Sequence, residues 1–193
     1  MRDWRVHFEP ESLVLEAYPI VRKGRAKRLA AEELGEVCVG WWPPAVRTRE
    51  GEFLFVPAPQ VRELADFADR RGLPFVWRED VWSWILEEFL DTEFPPESQE
   101  GTLRLLERNG VSREETRAMR ERVGGRMLRM TALTWEWQHY GLFDVLRALQ
   151  PFSFGAFTRF YAEAMRLADR GGTRPATREE LLRFFPPEPA TPR

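Results

Sequence analysis

Apolar residues change their spacing along this chain, and the change predicts its elements. Between Ser12 and Tyr18, Leu13, Leu15 and Ala17 fall on one side, the period of a half-buried strand. Val37-Cys38-Val39-Gly40-Trp41-Trp42 is β-branched and aromatic, and Pro43-Pro44 halts it. Residues 45–49 and 52–56 flank Glu50-Gly51, which reads as a tight hairpin, so these segments together predict a small meander. A helix follows, with Pro59 in its first turn, Val61, Leu64, Ala65 and Ala68 in one stripe, and Gly72 as its stop. Leu73 to Trp77 then has the texture of a buried strand, which completes a strand–helix–strand unit.

After Arg78 the period becomes helical. Residues 80–91 carry Val81, Trp82, Trp84, Ile85 and Phe89, and Pro95-Pro96 opens a helix that stops at Asn109-Gly110. Ser112-Arg-Glu-Glu115 is a capping box for the next helix, which Gly124-Gly125 is expected to interrupt. Residues 126–149 are expected to form one long helical segment ended by Pro151, and residues 153–168 another ended by Gly171-Gly172. Thr177-Arg-Glu-Glu180 caps a short last helix before a Pro-rich tail, residues 186–193. The expected fold class is α+β. A small N-terminal β-meander with the strand–helix–strand unit occupies residues 1–78, and a mainly α-helical layer occupies 79–193, as two portions or as one compact domain.

Composition adds constraints. At 193 residues, 43% hydrophobic and 31% charged, the chain is globular and long enough for a real core. Eight Trp and fourteen Phe exceed the ordinary needs of such a core, which points to rings at an interface or pocket. The net charge of −2 gives no global pull toward nucleic acid or anionic membranes. A single cysteine, Cys38, excludes an internal disulfide framework and fits a reducing compartment. With no membrane-spanning apolar run and no signal-like start in MRDWRVHFEPE, a soluble cytoplasmic protein is expected. Lys23 and Lys27 are the only lysines and Asn109 the only asparagine, a bias that fits a thermophile or a GC-rich genome equally.

The candidate chemistry centres on Glu136-x-x-His139, whose spacing places both side chains on one helical face. It resembles one arm of the ferritin-like di-metal carboxylate motif, which implies a di-metal centre. A complete centre of that kind needs a second histidine, and the only other one, His7, has no Glu three residues before it. A mononuclear metal site built from Glu136, His139, Glu88 and Asp91 is the reduced expectation, with Glu87 and Glu93 nearby in sequence. Trp135, Glu136, His139 and Asp144 are the expected ligand-binding set, because a helix apolar on nearly all sides buries its acids and His and demands partners for them. Arg126, Arg129 and Arg159 are the cationic alternatives.

Two further segments carry hypotheses. Residues 105–112 and the helix after them resemble the turn of a helix-turn-helix, although Leu106 is bulky, Asn109 polar, and Glu114-Glu115 would face phosphates. Arg22, Lys23, Arg25, Lys27 and Arg28 form the densest basic run and are the candidate nucleic-acid contacts. The sequence names no cofactor: it has no Gly-rich phosphate loop, no nucleophile elbow and no zinc spacing. The leading expectation is therefore a protein-interaction or structural module that binds a protein partner or forms a homo-oligomer, with Trp41-Trp42-Pro43-Pro44 and Trp82-x-Trp84 as interface rings. A metal- or ligand-binding enzyme at Glu136 and His139, and a nucleic-acid binder, are the alternatives.

Overall fold

The computed structural model describes residues 4–20, 27–90, 96–134, 140–150 and 154–186. Its elements run β1 (Arg5–Glu9), β2 (Ser12–Glu16), β3 (Arg28–Ala30), β4 (Leu34–Val39), β5 (Ala45–Thr48), β6 (Phe53–Phe55), α1 (Val61–Arg71) and β7 (Phe75–Arg78). Then come α2 (Val81–Leu86), α3 (Pro96–Arg108), α4 (Arg113–Thr134), α5 (Leu142–Leu149), α6 (Phe154–Ala168), β8 (Thr173–Pro175) and α7 (Arg178–Phe184). The protein is α+β, with all strands but β8 in the N-terminal part and most of its helices after residue 80. Its packing divides into two units: Met1–Tyr18 with Ala26–Arg78 and Thr173–Arg193, and Pro19–Arg25 with Glu79–Gly172.

The first unit holds two sheets, one ordered β1-β2-β3 and one ordered β6-β5-β4-β7-β8. The predicted hairpin joins β5 and β6, with Ala45 opposite Phe55 and Arg47 opposite Phe53. β7 lies parallel to β4, and a parallel pair needs a crossover, which α1 supplies. The predicted stripe of α1 is buried through Val61, Leu64, Ala65 and Ala68, with Phe67 added, and Gly72 closes the helix at φ 63°. Along β4 the side chains alternate. Val37 and Val39 enter a core with Val46, Leu54, Leu64 and Phe67, while Cys38 turns to the other face with Ala45 and Phe55. There Trp41 packs on Phe53 at 4.5 Å and donates its indole N–H to the Arg78 carbonyl at 2.9 Å. The Arg78 guanidinium in turn reaches Glu36 through Nε at 3.0 Å and Nη2 at 2.7 Å.

Gln60 shields the free edge of β1: it accepts from the Val6 N–H at 2.9 Å and donates to the Val6 carbonyl at 2.8 Å. β8 completes the other sheet, and its three residues, all exposed, carry no apolar period by which the strand could be foreseen. The Thr177–Glu180 capping box forms as predicted, and α7 places Leu181 and Phe185 in the same core as α1.

The second unit packs α2 through α6. Trp82 is fully buried, donates its indole N–H to Ala164 at 3.0 Å and meets Phe160 edge-on at 5.8 Å. Two expectations fail here. Gly124-Gly125 does not interrupt α4, and a Cβ at Gly124 would stand 3.0 Å from the Phe89 ring. The glycine serves close packing, and the helix continues through it. Residues 126–149 are not one helix either. α4 is described as far as Thr134, Tyr140 and Gly141 are not helical, and α5 begins afresh at Leu142 behind a Gly141 N-cap in extended conformation. Trp135 and His139, on which the expected stripe rests, lie outside the described residues.

Candidate functional site

The described residue that sequence reasoning passed over is Asp80. It is the N-cap of α2, and its Oδ1 accepts from the Trp82 N–H at 3.0 Å. Its carboxyl group also accepts from the Leu142 backbone N–H, in the first turn of α5. One side chain thus satisfies the exposed donors of two helix N-termini. Asp144 serves the same helix end, taking the Gly141 N–H at 3.1 Å in a capping arrangement. Burial, with only partial compensation by these N–H groups and with Asp144 repelling it, pushes the Asp80 carboxyl up to about 7. Burial raises Asp144 to about 6, against the pull of the Gly141 N–H and of Arg147. Two neighbouring carboxyl groups that resist ionisation at neutral pH have the character of acid–base or ligand-holding groups. They have equally the character of buried helix caps. A sequence signal did exist, since Asp80 directly precedes an apolar helical run.

The metal set predicted from sequence is only partly placed. Trp135, Glu136 and His139 lie outside the described residues, as does Asp91. Glu88 sits in a short 3₁₀ turn, Glu87–Phe89, and is held by Arg120 at 3.0 Å. Among the described residues no three His, Cys, Asp or Glu side chains group as a metal site would require. Cys38 is fully buried, and its surroundings drive its thiol far above the ordinary range, which suits an inert structural thiol.

Of the basic run, Arg22, Lys23 and Arg25 lie outside the described residues. Lys27 is exposed, while Arg28 donates to Glu9 and, at 2.7 Å, to Ser12. The Arg28 guanidinium holds the Glu9 carboxyl below its usual range. The segment resembling a helix-turn-helix has the short turn expected between α3 and α4, closed by Gly110 at φ 71° and the Ser112–Glu115 capping box. Its arginines are largely engaged. Arg113 binds Glu100 at 2.7 Å and Glu107 at 2.8 Å, and Arg122 binds Glu163 at 2.5 Å. Arg120, besides Glu88, donates to the Ile85 carbonyl at 3.0 Å. Arg113, Arg117, Arg120 and Thr116 line a cavity of about 370 Å³ together with Leu103 and Glu88.

The predicted interface rings differ in burial, with Trp84 half-buried on α2. Trp41 and Trp82 are core residues, each with its indole N–H satisfied by a backbone carbonyl. Trp42 is 52% exposed and lies on Phe185 in a near-parallel stack, 4.9 Å between centroids and 13° between planes. Phe184, 41% exposed, meets Trp77 edge-on at 6.2 Å and Phe185 at 5.4 Å. The Arg174 guanidinium covers Trp77 at 4.8 Å and pairs with Glu180 at 2.9 Å. Trp42, Trp77, Phe184 and Phe185 all belong to the first unit, where the loop after β4, the strand β7 and the end of α7 converge. Comparison with protein-family models, with curated proteins and with solved structures finds no match to this chain.

Proposed function

We propose that the protein is an interaction module that presents the aromatic surface around Trp42 and Phe184 to a protein partner, a second copy of itself in the simplest case. One observation carries this reading. Exposed large hydrophobic residues are few among the described residues, and two of them, Trp42 and Phe184, share one stacked cluster. A ring held by its neighbours gives up little conformational freedom on binding, and its apolar face gains by leaving water. Leu128, the other exposed large side chain, lies on α4 in the second unit. Sedimentation velocity across a wide concentration range tests the proposal. The wild type is expected to associate, and Trp42→Ser to remain monomeric with its thermal transition preserved. A wild type that stays monomeric at every concentration refutes self-association.

The raised carboxyl groups of Asp80 and Asp144 favour a second reading, a cation- or ligand-binding site that includes Asp144 and the Glu136–His139 segment. Elemental analysis of the purified protein and of His139→Ala tests it. Absence of bound metal, with no thermal shift on adding zinc or manganese, rejects a metal there.

A further inference from the structure

The aromatic surface has features that select among partners, and this step rests on the interaction reading above. Trp42 offers a broad, largely exposed ring fixed from behind by Phe185, and Phe184 offers a second ring in the same cluster. Flat rings of this kind accept proline side chains, and a polyproline II segment arrives already extended, so little order is lost on docking. Charge narrows the choice. Arg174 pairs with Glu180, and Arg178 with Asp66 and Asp69. Arg183, exposed and next to Phe184 in sequence, makes no hydrogen bond or ion pair among the described residues, though its charge helps Arg174 hold the Glu180 carboxyl below its usual range. The fitting ligand is therefore proline-rich and carries an acid.

Residues 186–193 of this chain have that composition: Pro186-Pro187-Glu188-Pro189-Ala190-Thr191-Pro192-Arg193, with Glu188 as the single acid. We infer that the surface around Trp42 takes the segment 186–193 of a second copy of this chain, with the prolines on Trp42 and Phe184 and Glu188 near Arg183. The segment follows Phe185, which is itself part of the surface and leaves α7 at φ −122°, ψ 73°. Consecutive prolines favour an extended polyproline II chain. Eight residues in that conformation span about 25 Å, enough to leave one copy and lie on another. Reciprocal exchange between two copies is isologous and closes at a dimer.

A complementation experiment on full-length chains tests this. Pro187→Gly combined with Pro189→Gly and Pro192→Gly spoils the segment and leaves the surface, whereas Trp42→Ser spoils the surface and leaves the segment. Each variant alone is expected to dimerise at least tenfold more weakly than wild type in sedimentation equilibrium, and their mixture to recover part of the association. Phe184→Ser serves as a second surface variant if Trp42→Ser lowers the thermal transition. Wild-type association by the segment variant overturns the inference and leaves the interaction module standing. Wild-type association by both surface variants removes the two together. A monomeric wild type whose Trp42 becomes more open to iodide quenching in the segment variant places the segment on its own chain, which overturns exchange between copies.

Discussion

Replacing Asp80 by asparagine isolates the effect of a carboxyl group that caps two helices. Asn keeps one acceptor oxygen, which holds the Trp82 N–H as Asp80 Oδ1 does, much as the protonated carboxyl does, and the two are nearly equal as N-caps, so the α2 cap survives while the titration disappears. In the folded protein the Asp80 carboxyl lies near 7 against an ordinary 3.8. Its folded-state value is raised, so the folded protein holds the proton while the unfolded chain has already released it. Stability from this group is full below the unfolded value and is lost as pH rises toward 7. A shift of that size corresponds to roughly 4 kcal/mol if borne entirely by the folded state. Local relaxation and water entry reduce this, leaving an expected loss of about 2 kcal/mol between pH 4.5 and 8.5. Urea unfolding of wild type and Asp80→Asn across that range, followed by far-ultraviolet circular dichroism, measures it. The variant is expected to match wild type at pH 4.5 and to exceed it by about 2 kcal/mol at pH 8.5. Asp80→Ala, which loses both caps, should be less stable than Asp80→Asn at every pH, by about 1–3 kcal/mol. Parallel pH profiles for wild type and Asp80→Asn would refute the reasoning.

Other consequences follow from the packing. Arg78→Ala leaves Glu36 without its cation in the sheet and should cost about 3–5 kcal/mol, whereas Arg78→Met with Glu36→Met should cost far less; urea midpoints decide. Gly171→Ala puts a Cβ 2.1 Å from the Glu79 carbonyl, so its thermal midpoint should fall much further than that of Gly72→Ala. At Gly72 nothing obstructs the Cβ and only the φ of 63° resists, at about 1 kcal/mol. Cys38 should not react with a thiol reagent until the protein unfolds, and fast native-state labelling would contradict its burial.

The fold was legible where one period held over a whole element. α1 shows its stripe and its glycine stop, β5 and β6 their hairpin turn, and α7 its capping box. β8 was not legible, because an exposed edge strand of three residues needs no apolar period. Gly124 misled because a glycine that admits a neighbouring ring looks, in sequence, like one that ends a helix. The site was legible only in part. Trp41 and Trp42 are identical and adjacent, yet one is a core ring and the other a surface ring, a difference set by where the strand ends and not by residue type. Asp80 escaped notice because its second hydrogen bond comes from residue 142, a proximity that no local pattern encodes.

The most direct test of the interaction reading is to place a photoreactive benzoylphenylalanine at position 190, which leaves Trp42, Phe184 and the prolines in place, irradiate the protein at a concentration where wild type associates, and map the crosslinks by mass spectrometry. The account predicts dimers joined from position 190 to a peptide of the other copy that contains Trp42 or Phe184. Only monomer after irradiation, or dimers joined at other peptides, would contradict it.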